Sequence, residues 1–404
     1  MQFNIKFKDS GAQRLYNYLV IIIYLSFALD SLLKINLGFK IHLGILLILI
    51  LNSFYFFIIG YRKSVKFHKL DFWLILFTIY TLINGLLLTG LNSLFIFFYF
   101  FLALNVYFFI NLNFNILTRK VFYYFQILMI VSGLFQFFLF LLFDYQINFL
   151  DVAHYTKGSS VTLRLRGFFV EPNWFAIAFT FNTFLLIRND IVSFIKKHTV
   201  IFLLTIIVFL LNGTIGPLAV LLFTYSYKYF TKNIVIGALL LIIAIGGGYF
   251  IMQKRAEIKK NKSGIELFNY YSRTEPFSRV NEYFSHQPGT HRLFGEGLGS
   301  WGTLGIRNNL SVLTYEESVY DRDSSELHVF LFELGLIGTF IFFLDIFNLF
   351  KNNFKFNFYI RGAILLFIVS FLLYPIFKFM MYMVYYFVLR TLIKNNKKEL
   401  YLKE

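Results

Sequence analysis

A cluster of charged residues stands directly before an apolar segment, in the stretch LRLRGFFVEPNWFAIAF (residues 163–179). Arg164 and Arg166 lie just outside the predicted start of a helix, and Pro172 fits its first turn. Guanidinium groups bind phosphates and carboxylates through paired hydrogen bonds, and a helix N-terminus also attracts anions. These residues could therefore hold an anionic group. The alternative is that both arginines extend toward lipid headgroups or pair with Glu171.

A second cluster lies in FSRVNEYFSHQPGTHRLFGEGLGSWG (residues 277–302). Arg279, Arg292 and two histidines precede a glycine-rich turn that ends at Trp301. Glycine allows the backbone to approach a ligand closely. The turn matches neither a P-loop nor a dinucleotide-binding fingerprint, because no strand precedes it. A surface loop with turn glycines explains the same pattern, so both interpretations stay open.

The third cluster is SSELHVFLFELGLIG (residues 324–338), in which His328 begins an apolar segment and Glu326 precedes it by two residues. Imidazole has an unperturbed pKa near ~6.5, which suits it to accept a proton from a hydroxyl group at neutral pH. Glu326 could orient the ring. The other interpretation is a hydrogen-bonded structural histidine at a membrane interface.

The elements that must position these clusters are apolar helices. The chain has 404 residues, of which 58% are hydrophobic and 15% are charged. A soluble domain of this length needs more surface charge, so we expect an all-α polytopic membrane protein. The net charge of +17 falls mostly in short loops, where Lys and Arg set orientation, so we expect no nucleic-acid partner. The chain has no cysteine and no convincing His, Asp and Glu spacing for a metal site, so we expect no metal and no other cofactor.

Runs of about 20 apolar residues are long enough to cross a membrane. We predict about twelve transmembrane helices, near residues 16–33, 41–60, 70–89, 93–112, 121–143, 167–187, 199–212, 214–229, 233–252, 327–350, 361–374 and 375–392. A tight turn at NGTIGP separates the seventh helix from the eighth, and Tyr374-Pro375 breaks the last two. The chain then divides into residues 1–252, with nine helices and an outer loop at 144–166; a large, partly helical outer loop at 253–326; and residues 327–404, with three helices and a tail.

The loops predict the orientation of the chain. Six net basic segments fall on one side of a twelve-helix arrangement, which places both termini in the cytoplasm: 61–69, 118–120, 188–198, 228–232, 351–361 and the C-terminal tail. The segment 254–326 holds ten Lys or Arg and ten Asp or Glu, so it is neutral and is expected outside. All three clusters then lie on the outer face. Charged residues within the predicted helices are scarce, which argues against an ion-coupled pump.

The three clusters resemble motifs of the O-antigen polymerase and ligase superfamily. RLRGFFVEPNWFA resembles its Arg-x-x-Gly-x-x-x-x-Pro-Asn motif, and FSRVNEYF with HRLFGEGLGSWG is similar to its outer-loop segment. LHVFLFELGLIGTFIFF resembles its histidine-containing return helix. The resemblance covers most of the chain from the fifth predicted helix onward. Two departures are Val329 after the histidine, where the family often has Asn, and Gly213-Thr214-Ile215, where it often has a Ser-Arg pair.

The resemblance implies a metal-independent, inverting glycosyltransferase that polymerises undecaprenyl diphosphate-linked oligosaccharide units for O-antigen or capsule. The growing glycan would pass from its lipid diphosphate to a sugar hydroxyl of a new lipid-linked unit. Arg164 and Arg279 would hold the diphosphate, and His328 would be the base or orienting group, with Glu171 as a second candidate base. The residues expected to contact substrate are Arg166, Asn173, Arg292, Glu326 and Trp301.

Two alternatives remain: a ligase of the same superfamily that transfers glycan to lipid A-core, and a flippase of lipid-linked oligosaccharides. A flippase should show charges along its helices and helix interruptions near mid-membrane. We expect a multi-pass protein of the bacterial inner membrane with its active site on the extracytoplasmic face. Its partners would be lipid-linked glycans and membrane lipid, together with a chain-length regulator and a flippase of the same pathway.

Overall fold

The computed structural model describes residues 10–36, 40–58, 68–90, 94–143, 145, 164–188, 190–230, 275–311, 322, 325–353 and 358–395, with isolated positions between 234 and 246. The described part of the chain is 83% helical with almost no strand. The described helices are α1 Ser10–Ser26, α2 Leu43–Ile58, α3 Phe72–Leu88, α4 Leu94–Asn113, α5 Arg119–Phe143, α6 Pro172–Ile187, α7 Ile191–Lys197, α8 Thr199–Asn212, α9 Ile215–Phe230, α10 Glu275–Ser285, α11 Gly289–Phe294, α12 Glu326–Asn353, α13 Phe358–Leu373 and α14 Met380–Asn395. Two short antiparallel strands, β1 Lys34–Asn36 and β2 Lys40–His42, join α1 to α2.

Each predicted apolar segment that the structure describes contains a helix, and the ninth, 233–252, lies almost wholly outside the described residues. Among the described residues, four helical segments are long and apolar enough to cross a membrane: Gly11–Leu29, Lys69–Leu88, Arg119–Phe143 and Glu326–Asn352. A fifth span is possible if α6 and α7, which meet at 90°, are counted together. The all-helical class with several membrane-spanning helices is therefore supported. The number twelve stays a prediction.

Three boundaries refine the sequence prediction. Helix α6 begins at Pro172 rather than near residue 167, because the chain makes a turn there with Gly167 at φ 55°. The turn between α8 and α9 is confirmed, with Gly213 in the left-handed conformation that ends α8. The break at Tyr374-Pro375 is also confirmed, since α13 stops at Leu373.

Helix α6 is the central helix of the bundle. Apart from Asn173 in its first turn, every residue of α6 is buried. Helices α5, α9, α13 and α14 all pack against it. An all-apolar helix could also face lipid, but here the burial of its residues shows that protein encloses α6. The N-terminus of α6 consequently opens at the centre of the bundle and not at its lipid edge.

A buried charge network joins α3, α12 and α14. The Arg390 side chain is fully buried and bonds through Nη1 and Nη2 to Asp345 at 2.7 and 2.8 Å, and through Nε to Asp71 at 3.0 Å. Lys394 lies 2.8 Å from Asp71. Several of the few charges that the predicted helices hold are therefore concentrated in one cluster. The charges are tolerated because each one is paired with an opposite charge.

The network defines the two ends of the bundle. We call the end that holds Asp71, Asp345 and Arg390 the Arg390 end, and the opposite end, where α12 starts, the Glu326 end. Along α12, Asp345 follows Gly335 by ten residues, which is about 15 Å of helix toward the Arg390 end. Helix α12 is interrupted there, with Gly335 at φ 65° and ψ −169°.

Residues 275–311 pack against the interruption in α12; we call them the outer segment, after the loop that the sequence predicts to lie outside. The backbone N–H groups of Glu296 and Gly297 donate to the carbonyls of Phe332 and Glu333 at 2.8 and 2.9 Å. The Tyr80 hydroxyl of α3 donates to the next carbonyl, that of Leu334, at 2.7 Å. Carbonyl groups that a helix break exposes in a membrane need such partners.

The glycine-rich turn of the outer segment therefore approaches protein backbone. A Cβ atom added at Gly295 would lie 2.5 Å from the Glu333 carbonyl group, and Gly295 itself has φ 79°. Asn84 of α3 holds the turn on the other side. Its Nδ2 atom donates to the Phe294 carbonyl at 2.6 Å, and its Oδ1 atom accepts from the Leu298 N–H at 3.1 Å. Gly295 therefore allows the turn to approach the α12 backbone. The sequence pattern suggests either a close approach to a ligand or a surface loop.

Replacing Arg390 by Met should lower the free energy of unfolding by about 3–5 kcal/mol, because two buried carboxylates lose their shared partner. The measurement is denaturant unfolding of the purified protein in detergent. Arg14→Met, at an exposed arginine of α1, is the matched control. A loss equal to that of the control would mean that the network does not stabilise the bundle.

Replacing Gly295 by Ala should lower the free energy of unfolding by about 1–3 kcal/mol, since the methyl group meets the α12 backbone. Gly289→Ala is the control, because a Cβ atom there meets nothing within 4 Å. Thermal unfolding and proteolysis of the outer segment would report the difference. Equal stability of the two variants would contradict the close contact.

Candidate active site at the Glu326 end

Arg164 connects the mouth of α6 to the turn between α8 and α9. Its Nε atom donates to the Asn212 carbonyl at 2.9 Å, and its Nη2 atom donates to Asn173 Oδ1 at 3.3 Å and to the Thr214 hydroxyl. The mouth of α6 lies inside the bundle, so Arg164 does not extend toward lipid headgroups. These contacts hold the guanidinium group in place, and guanidinium groups bind anions such as phosphate through charge-assisted hydrogen bonds.

Arg166 has a different environment from Arg164. The residue is only 6% exposed, and its Nη1 atom donates to the Val170 carbonyl at 2.9 Å. Its backbone N–H donates to Gln136 of α5 at 3.2 Å. These contacts give Arg166 a role in folding the turn before α6. The substrate contact expected from the sequence stays a prediction.

Glu171 is the residue that immediately precedes α6. Its backbone is extended, with φ −123° and ψ 144°, and its side chain does not cap the helix. The residue is half-buried. A carboxylate at a helix N-terminus is stabilised by the helix dipole, which favours its ionised form.

Contacts join the α6 mouth to the start of α12. The Trp174 ring stacks on Phe379 with centroids 5.3 Å apart, directly after the connection between α13 and α14. In that connection, the Phe377 N–H donates to Glu326 Oε2 at 3.0 Å. The Glu326 N–H in turn donates to the Tyr374 carbonyl at 3.1 Å. The first and third clusters of the sequence therefore lie at the same end of the bundle.

Arg322 is a site residue that sequence reasoning missed. Its Nε atom lies 2.7 Å from Glu326 and its Nη2 atom 2.9 Å from Glu333. Both carboxylates are at most 1% exposed. Burial alone would lower the pKa of the Arg322 guanidinium, but the two carboxylates outweigh this effect and raise that pKa, so Arg322 stays charged.

The spacing of Arg322, Glu326 and Glu333 in the sequence already indicates an ion-pair cluster. Glu326 and Glu333 are seven residues apart, which places both on one face of an otherwise apolar helix. Two carboxylates in such a position require a cation. Arg322 lies four residues before Glu326, at the spacing of an ion pair on a helix.

His328 is covered by Trp301 of the outer segment. The two ring centroids are 4.7 Å apart, and His328 is only 1% exposed. Trp301 begins a short π-helical turn, and its backbone N–H donates to Glu333 Oε1 at 3.2 Å. The second and third clusters are thus in direct contact, while the histidine is more deeply buried than its position in the sequence suggested.

Arg279 lies on α10 and remains partly accessible. Its Nη2 atom pairs with Glu275 at 2.6 Å and its Nη1 atom donates to the Asn309 carbonyl at 2.8 Å, yet 35% of the side chain is exposed. A small apolar core beneath it holds the outer segment against α12; its buried members are Val280, Phe284, Trp301, Leu310, Val329 and Phe332. Arg279 is therefore positioned by the same contacts that cover His328.

Arg292 lies on α11 and is exposed. No described contact joins it to Arg164, Arg279 or His328. The adjacent His291 pairs instead with Glu296 at 2.8 Å. Among the described residues, no three His, Asp or Glu side chains lie close enough together to hold a metal ion.

Comparison with known proteins adds no assignment. No protein-family model matches the chain, and no curated protein matches it. The arrangement has to be interpreted from its own chemistry: two arginines, two candidate bases and a buried ion-pair cluster at one end of a helical bundle.

Replacing Arg166 by Ala should lower the free energy of unfolding by about 1–3 kcal/mol, because the Val170 carbonyl loses a charged donor. Arg14→Ala, at an exposed position, should leave it unchanged. Denaturant unfolding in detergent measures both variants. If Arg166→Ala retains full stability, the structural role assigned to this arginine is wrong and a substrate contact becomes the better explanation.

Proposed function

We propose that this protein polymerises oligosaccharide repeat units carried on undecaprenyl diphosphate. The observation that supports this proposal most strongly is the meeting of three distant sequence clusters at the Glu326 end. Arg164, Arg279 and His328 come from the α6 mouth, the outer segment and α12, and contacts through Phe379, Glu326 and Trp301 connect those elements. The sequence resemblance supplies the substrate class, and the geometry is compatible with it.

The reaction would begin with the donor diphosphate at the α6 mouth. The acceptor hydroxyl attacks the anomeric carbon, the bond from that carbon to the phosphate oxygen breaks, and its electron pair stays on the diphosphate. Arg164 and Arg279 would stabilise the charge that develops there. Preorganised donors of this kind commonly contribute about 100-fold or more to the rate. Inversion at the anomeric carbon follows from a single displacement.

Two residues are candidates to accept the hydroxyl proton. A general base must come within hydrogen-bond distance of the hydroxyl group. Glu171 is half-buried beside the α6 mouth, whereas His328 is 1% exposed beneath Trp301. In this conformation Glu171 is the more accessible base, and His328 is better placed to orient the acceptor through Trp301.

The proposed function includes a membrane orientation. We take the Glu326 end as extracytoplasmic and the Arg390 end as cytoplasmic, with about twelve spans of about 20 residues and both termini inside. The basic loops predicted as cytoplasmic adjoin the Arg390 end: residues 61–69 precede α3, and 351–361 separate α12 from α13. A bacterial inner membrane, with a chain-length regulator and a flippase as partners, fits this orientation.

Two features of the structure are typical of a flippase, namely buried charges and an interrupted helix. In both cases, however, the polar groups are bound to other groups of the protein. Arg390 pairs with both Asp345 and Asp71, and the carbonyls of Phe332 and Glu333 accept hydrogen bonds from the outer segment. A transport path needs charges and carbonyls that face a moving substrate. The polymerase proposal therefore remains the better one.

The test is complementation of a strain deleted for this gene. Arg164→Ala and Arg279→Ala should each shorten the surface-glycan ladder toward a single repeat unit, with a loss of activity of about 100-fold. Comparison of Glu171→Gln with His328→Gln identifies the base. Arg14→Ala, far from the site, is the control, and membrane levels of all variants are measured by immunoblot.

Each result of this test has a distinct meaning. A ladder reduced to one unit on core supports the polymerase. Complete loss of surface glycan, with long lipid-linked chains accumulating, indicates a ligase. Lipid-linked units trapped on the cytoplasmic face indicate a flippase. An unchanged ladder in all site variants would overturn the assignment of the site.

A further inference from the structure

The buried ion pairs at the start of α12 are unequal in number. Among the described residues, one guanidinium, that of Arg322, faces two carboxylates, those of Glu326 and Glu333. Glu326 is 0% exposed and Glu333 1% exposed. Each carboxylate in a low-dielectric environment is costly unless a cation compensates it. Within the part of the chain that the structure describes, Arg322 is the cation paired with both carboxylates.

Each carboxylate also holds a different part of the Glu326 end. Glu326 accepts the N–H of Phe377 at 3.0 Å, in the connection between α13 and α14. Glu333 accepts the N–H of Trp301 at 3.2 Å, in the outer segment. Arg322 thus ties the α13–α14 connection and the Trp301 turn to the same two turns of α12.

The position of Arg322 explains how it reaches both carboxylates. Its guanidinium carbon lies 6.0 Å from the Phe330 ring centroid, between Glu326 and Glu333 along α12. The side chain therefore runs along the helix surface, with its planar fork divided between the two carboxylates. An ammonium group is a point charge and reproduces this divided pairing only in part.

We propose that Arg322 is a positioning residue for the transfer reaction: through Glu326 and Glu333 it holds Trp301 against His328 and aligns the first half of α12 with the α6 mouth. The role of Arg322 in transfer rests on the proposed function. Its role in holding Trp301 against His328 concerns only the folded protein and is independent of that function. A displacement of about 1 Å at a reacting group can cost about 100-fold in rate.

The first experiment follows Trp301 directly. The chain has three tryptophans, so Trp73→Phe with Trp174→Phe leaves Trp301 as the sole tryptophan, which is excited selectively at wavelengths where tyrosine does not absorb. Trp301 is 0% exposed, and its fluorescence should resist quenching by acrylamide. Arg322→Gln should increase quenching several-fold and shift the emission to longer wavelength. Arg322→Lys should restore much of the protection, and Arg14→Gln should have no effect.

A second, independent prediction follows from the pairing of one guanidinium with two carboxylates, and it concerns the stability of variants. Glu333→Gln removes the excess carboxylate while its amide oxygen can still accept the Trp301 N–H, so it should fold as well as the parent protein. Arg322→Gln should unfold more easily, and the double variant should be more stable than Arg322→Gln alone. This order of stabilities distinguishes a charge clamp from an effect of side-chain size. The reverse order would overturn the proposal.

The third measurement is transfer by purified protein, with lipid-linked units extracted from the deletion strain and activity normalised to folded protein. Arg322→Gln should lower kcat about 10- to 100-fold with little change in KM for the donor, because it misplaces the acceptor side of the site. Arg322→Lys should recover part of this loss. A structural role alone would reduce the amount of folded protein and leave kcat unchanged.

The outcomes separate this inference from the proposed function. Protected Trp301 fluorescence in Arg322→Gln overturns the inference, whatever the protein catalyses. Exposed Trp301 with unchanged kcat also overturns it. If the parent protein transfers no glycan, the proposed function fails, and the quenching result still decides whether Arg322 holds Trp301 in place.

Discussion

The docking of the outer segment into the break of α12 is the interaction on which the site depends. A helix that is interrupted at Gly335 exposes carbonyl groups, and in a membrane-embedded bundle those groups must find donors within the protein. The N–H groups of Glu296 and Gly297 supply them. Because the donors belong to the outer segment, the same hydrogen bonds bring Trp301 and Arg279 to α12.

The buried ion pairs at the two ends of the bundle differ in composition. At the Arg390 end, the described residues Arg390 and Lys394 are paired with Asp71 and Asp345. At the Glu326 end, the described ion-pair cluster holds one guanidinium, that of Arg322, and two carboxylates. At either end, removing one partner leaves a buried charge uncompensated, which strongly destabilises a fold. The proposed transfer site lies at the Glu326 end.

Sequence patterns predicted the helices well because apolar run length is a local property. The breaks at Gly213 and Tyr374-Pro375 follow from the backbone preferences of glycine and proline. Arg164, Arg279 and His328 were recognisable as candidates from residue type and motif. The roles of Arg166 and the glycine-rich turn were not predictable, because each depends on a partner distant in sequence: Gln136 of α5 for Arg166, and the α12 backbone for Gly295.

The sequence by itself determined that this chain forms apolar helices and which polar residues stand at their ends. Hydrophobic run length and turn residues carry that information locally. Only the tertiary structure decided which charges pair, since Arg390 meets Asp71 across 319 positions of the chain. It also decided that Trp301 covers His328. Such pairings depend on which helices pack together, and burial makes them obligatory because a charge without a partner in the bundle interior is too costly to retain.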